Sequence, residues 1–168
     1  MNYFELYQMP VSLLPDQQLV KQKFYELSRK YHPDFFTREH ENDQAEALEV
    51  SSEVNRAFKV FSDKDETIKY VLQSKGLLEE EEKYNLPSAF LMEMMELNEQ
   101  LMEAKMENDA ESLRKVKTSI ALIEEQIYKP VQSVIEGYDE EVTTTAELLQ
   151  VKDYYYKKKY LKRILATT

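Results

Sequence analysis

Two glycines in 168 residues are the feature that most narrows what this chain can fold into. Tight strand turns, barrel corners and phosphate-cradling loops all use glycine where the backbone must adopt a positive φ or approach a ligand closely. With so little of it, sandwiches, barrels and Gly-loop nucleotide sites are excluded as architectures. The apolar residues agree, recurring at helical spacing with little β-branched alternation. The chain is 42% hydrophobic, enough for a core in one ordinary domain or two small ones. An all-α fold is the expectation.

The first half reads as a short helix over 3–8 and a longer one marked by Leu19, Val20, Phe24, Leu27 and Tyr31. Pro15 and Asp16 start the longer helix and Pro33 stops it. A third helix spans 42–61, with Ala45, Leu48, Val54, Ala57, Phe58 and Phe61 available for packing. A further helix over 66–75 ends at Gly76, a natural C-cap. Four consecutive glutamates, 79–82, repel one another and read as a solvated linker or an exposed helix start. A domain boundary therefore falls at 76–84, between an N-terminal unit of residues 1–75 and a C-terminal unit of residues 85–168. The second unit reads as three long helices over 87–107, 110–135 and 145–165. Asn108-Asp109 and Gly137-Tyr138-Asp139 form the turns, and Pro130 kinks the middle helix or splits off its last turn. Short connections make the helices antiparallel, a three-helix bundle.

Charge sets the next limits. The net charge of −10 opposes a nucleic-acid partner. No apolar run approaches the roughly 20 residues that span a bilayer, and no export signal opens the chain, so no membrane partner and a cytoplasmic location are expected. With 0 cysteines, disulfides, thiol nucleophiles and Cys-ligated metal centres are absent, and no resident metal or cofactor is expected. The final helix is nevertheless basic, with Lys152, Lys157, Lys158, Lys159, Lys162 and Arg163. Residues 79–111 carry 11 acids against 2 bases, and pairing between the outer bundle helices is the simplest account of that stripe.

The tripeptide His32-Pro33-Asp34 follows a helix carrying Lys21, Lys23, Arg29 and Lys30, interrupted by Glu26. It sets an imidazole and a carboxylate at an exposed corner beside a basic surface suited to an acidic partner. The following helix contains Glu53-Val54-Asn55-Arg56-Ala57-Phe58-Lys59-Val60-Phe61-Ser62-Asp63, and the chain opens Tyr3-Phe4-Glu5-Leu6. Together these resemble the J-domain of DnaJ-type co-chaperones over residues 1 to about 75. The resemblance implies a trigger and no catalytic residue. His32, Pro33, Asp34 and the basic residues Lys21, Lys23, Arg29 and Lys30 would dock on a heat-shock seventy-class chaperone and stimulate its ATPase.

The helix from Pro87 carries two apolar stripes, Phe90, Met94, Leu97, Leu101 and Ala104 in one sector and Leu91, Met92, Met95, Met102 and Met106 in another. One neighbour cannot bury both. Either the helix is sandwiched between two others, or the Met-rich stripe, flanked by Glu96, Glu99 and Glu103, is an adaptable binding face. The run Ala89-Phe90-Leu91-Met92-Glu93 through Glu96-Leu97, with the preceding Tyr70 to Gly76, resembles HscB-type iron–sulfur co-chaperones. That resemblance implies an HscA-type chaperone and an IscU-type cluster scaffold as partners. Carried over by position, the scaffold face is Leu91, Met92, Met95, Glu96, Glu99 and Glu103. An aromatic on the last helix should complete it; Tyr154, Tyr155 and Tyr156 are the candidates, with Tyr156 preferred. Two alternatives stand beside this reading: a J-protein for a different client, and a metal-dependent hydrolase using His32, Asp34 and His40.

Overall fold

The structure is a computed structural model that describes residues 2–32, 34 and 41–167, without the side chains of residues 41–43. Every regular element among the described residues is helical: α1 (Tyr3–Tyr7), α2 (Gln17–Lys30), α3 (Glu41–Phe61), α4 (Lys64–Ser74), α5 (Ser88–Met106), α6 (Ala110–Tyr128), α7 (Gln132–Glu136) and α8 (Thr145–Ala166). Pro130 does split the second long helix of the C-terminal unit. A 3-10 turn, Lys129–Val131, separates α6 from α7 there.

Polar caps place the helix starts. Asp63 accepts from the N–H groups of Asp65 and Glu66, and Asp109 from those of Glu111 and Ser112. Thr144 with Glu147 forms a reciprocal capping box at α8. Asp16 caps α2 by accepting from Gln18 N–H, so Pro15 lies one residue outside the helix instead of in its first turn. Both glycines stop helices. Gly76 takes φ +71° just past α4, donating its N–H to Gln73 O while Leu77 donates to Leu72 O. Gly137 follows α7 at ordinary φ, and a Cβ there would lie 2.9 Å from Ser133 O. It is glycine because the chain turns too closely for a side chain.

The N-terminal helices pack α2 against α3, with Phe24 stacked on Phe58 at 4.1 Å. α1 closes the far end of this hairpin, setting Phe4 and Tyr7 on Phe61. The Tyr7 hydroxyl donates to Val54 O at 2.8 Å, and burial pushes its pKa up. The buried face of α3 is the expected one in its second half and departs from it only in the first. Ala47, Val54, Ala57 and Phe61 are inside, whereas Ala45 and Leu48 are exposed.

α5, α6 and α8 form the second core, in which Phe90, Met94, Leu97 and Leu101 meet Val116, Ile120, Ile123, Leu161 and Ile164. The first core is not confined to the N-terminal helices. It joins Phe4, Leu13, Val71 and Leu72 to Val131, Ile135, Leu148, Val151 and Tyr154–Tyr156 in one apolar cluster. The two units are therefore fused through α4 and α8.

Segment 76–84 is part of that junction: Leu78 is buried, and Glu82 pairs with Lys152 at 2.6 Å. Tyr84 donates to Asp153 Oδ1 at 2.8 Å and stacks on Tyr156, burial first and the Asp153 contact second raising its pKa to about 12. The basic stripe of α8 has other partners than expected. Lys158 Nζ lies 2.9 Å from Asp65 Oδ1 without an aligned hydrogen bond, and Lys162 contacts Asp65 Oδ2. Lys157 pairs with Asp153 of its own helix. Of these acids only Glu82 belongs to the acidic stretch 79–111. The stripe mainly ties the C-terminal unit to α4.

Candidate functional site

Two solvent-facing surfaces carry unspent chemistry. The first is the outer side of α2 with the corner beyond it. At 100° per residue, Lys21, Tyr25, Arg29, Gln22 and Glu26 follow one another around a single outward arc. Lys21, Arg29 and Lys30 are exposed, and Arg29 and Lys30 sit in the last turn, where cations complement the helix dipole. Lys23 is only partly exposed and lies 4.0 Å from Glu26, so it is the least available of the four predicted cations. Tyr25, 61% exposed in the middle of this arc, is a residue the sequence reading passed over. Its signal was position: an aromatic four residues from Lys21 and Arg29 on the polar side of an amphipathic helix has no core to enter.

Beyond the C-cap Tyr31, His32 and Asp34 both project into solvent. Asp34 N–H donates to His32 Nδ1 at 3.2 Å, and Asp34 Oδ2 lies 3.5 Å from the same nitrogen. Pro33 lies outside the described residues, as does His40, so the alternative His32–Asp34–His40 metal set is not assembled among them.

The second surface is α5. Its first stripe, Phe90, Met94, Leu97, Leu101 and Ala104, is wholly buried. The second is not sandwiched: Met92 is 66%, Met95 61%, Met102 63% and Met106 82% exposed, with Leu91 half-buried. Glu96, Glu99 and Glu103 are exposed on the adjoining arc. α6 and α8 both pack on the first stripe, which leaves the methionines of the second facing solvent.

Tyr154, Tyr155 and Tyr156 are all buried at the junction of the two units. Burial first, with nearby acids after it, raises the Tyr155 pKa to about 12. Of the three, Tyr156 lines a groove of about 420 Å³ together with Leu91, Tyr84, Leu86, Tyr160 and Arg163. The structure thus brings Tyr156 to the Leu91 end of the Met-rich face, in the wall of that groove. Tyr160 and Arg163 in that wall were also missed by sequence reasoning, since their spacing alone reads as bundle surface.

A helical hairpin with an exposed His–Asp corner, fused to a bundle with an exposed apolar helix face, defines a J-domain co-chaperone. The DnaJ domain family matches residues 3–70, and the HSCB C-terminal oligomerisation domain family matches residues 86–168. A Vibrio vulnificus protein described as a co-chaperone protein HscB homolog is 29% identical over 98% of this chain and 92% of its own length. The Proteus mirabilis co-chaperone protein HscB is 32% identical over 67% of this chain and 66% of its own. Among solved structures, chaperone HscB from Vibrio cholerae superposes with TM-score 0.75 at 26% identity, covering 98% of this chain and 93% of that one. Human co-chaperone protein HscB shares the fold at TM-score 0.81, covering 99% of this chain and 80% of that one. The chain belongs to the HscB co-chaperone family.

Proposed function

We propose that this protein stimulates the ATPase of an HscA-type, heat-shock seventy-class chaperone and delivers an IscU-type iron–sulfur scaffold to it. The α2 arc with His32, Pro33 and Asp34 would engage the chaperone, and Leu91, Met92, Met95, Glu96, Glu99 and Glu103 the scaffold, with Tyr156 at the groove beside them. Chemistry then belongs to the partners and the cytoplasm is their meeting place. The observation that carries the reading is the bare second stripe of α5, where Met92 and Met95 stand 66% and 61% exposed on a helix already packed on its other face. Isolated apolar residues on a surface are ordinary, but a continuous stripe rimmed by carboxylates fits a protein partner. The apolar anchors would supply most of the affinity and the glutamates the orientation and encounter rate.

A pull-down of purified cluster scaffold by this protein tests the reading. Retention by the wild-type chain, and its loss when Leu91→Ala and Met95→Ala are combined, is the expected result. A double variant that retains scaffold as well as wild type would contradict it.

A further inference from the structure

The chain has seven methionines and 0 cysteines, so its oxidisable sulfur is entirely thioether. That sulfur is unevenly placed. Met9 and Met94 are buried at 8% and 0%, whereas Met92, Met95, Met102 and Met106 are exposed at 61–82%. These four share one face of α5: at 100° per residue they fall within roughly an 80° arc, and 14 residues of rise separate the first from the last, about 21 Å. Thus every described methionine outside the core lies on the α5 face that carries Met92 and Met95 of the surface assigned above to the scaffold.

We propose that this face is an oxidant-responsive modification site, in which conversion of Met92, Met95, Met102 and Met106 to methionine sulfoxide releases the scaffold while leaving the chaperone trigger intact. This rests on the scaffold-docking reading and adds a mode of regulation to it. The oxidant class is a peroxide. The thioether sulfur attacks one peroxide oxygen, an S–O bond forms and the O–O bond breaks. The sulfur is oxidised by two electrons, the peroxide is reduced by two, and the departing hydroxide takes the proton of the new S–OH group and leaves as water, giving the sulfoxide. The product replaces a soft apolar contact with a strongly polar S–O group. Burying that group against an apolar partner surface without a hydrogen bond opposes docking. No thiol in the chain competes for the oxidant, and the sulfoxide is reducible enzymatically, so the change is reversible. The acidic arc of Glu96, Glu99 and Glu103 remains, leaving a face with charge and little apolar grip.

The test treats the full-length protein with hydrogen peroxide, maps oxidised residues by peptide mass spectrometry, and measures scaffold binding and scaffold-independent chaperone stimulation on the same sample. Met92, Met95, Met102 and Met106 should oxidise before Met9 and Met94. Scaffold affinity should fall at least about tenfold, as expected when several contacts of an apolar patch become polar. Stimulation and helicity should be unchanged, and methionine sulfoxide reductase should restore binding. In a variant with all four exposed methionines changed to leucine, the ratio of scaffold affinities before and after peroxide should be about one, whatever its starting affinity. Unchanged scaffold binding by the fully oxidised protein would overturn the proposal, as would equal peroxide sensitivity of the leucine variant. Failure of the untreated protein to bind scaffold would overturn the docking reading itself, a result distinct from either.

Discussion

His32 stands just past the end of α2, with the Asp34 N–H donating to its Nδ1. Gln at position 32 keeps polarity but replaces the ring. His32→Gln is predicted to abolish ATPase stimulation while leaving scaffold binding within about twofold of wild type, since rim-distant polar changes do not touch that contact. Steady-state phosphate release beside a scaffold pull-down checks both halves. Tyr25 belongs to the same scale. Its exposed ring sits between Lys21 and Arg29, and truncating an exposed aromatic at a docking surface costs about 1–2 kcal/mol of binding. Tyr25→Ala should therefore weaken chaperone binding roughly tenfold, with little change in melting temperature because the ring is 61% exposed and meets the core only through neighbouring Phe24. Surface plasmon resonance with the chaperone measures it.

At the scale of elements, α5 is the informative helix because its two faces have opposite fates. Leu101 is fully buried among α6 and α8 side chains, and Leu101→Ala should destabilise the protein by about 3 kcal/mol in denaturant titration. Met92→Ala should cost less than about 0.5 kcal/mol, the usual size for a surface change. Scaffold affinity should follow the reverse order. Sequence periodicity resolved both stripes of α5, yet it could not say which one lay bare, because that depends on where α6 and α8 pack. α3 failed differently. Small and apolar residues occur all round its first half, so periodicity offered two registers, and packing on α2 chose Ala47 over Ala45 and Leu48. Pro130, by contrast, acts on its own helix alone, and its effect was legible from position.

At the scale of the molecule, the two units share one core, a property invisible in the sequence. The run 79–82 looks like a solvated tether, and only the folded chain shows Leu78 and Glu82 held against α8. The lysines of α8 were read as neutralising the acidic bundle, while Asp65, distant in sequence, is the acid that collects two of them. Burial works to raise the Asp65 pKa, but the Lys162 and Lys158 ammonium groups outweigh it and hold the carboxyl below its usual value of 3.8. A depressed folded pKa means the stabilisation is fully present above that value and is lost as pH falls through the folded pKa. Asp65→Asn should cost about 2 kcal/mol at neutral pH, leaving partly buried lysines unpaired. The gap between wild type and variant should close only below pH 3.8, as followed by thermal melts across an acid series.

With the two proposed surfaces on one chain whose units share a core, the proposed trigger and cargo should reinforce each other. The most direct test is steady-state ATP hydrolysis by an HscA-type chaperone with this protein, with the cluster scaffold, and with both. The account predicts stimulation by this protein alone and a further rise, greater than the sum of the separate effects, when scaffold is added. No stimulation by the protein at any concentration, with or without scaffold, would contradict it.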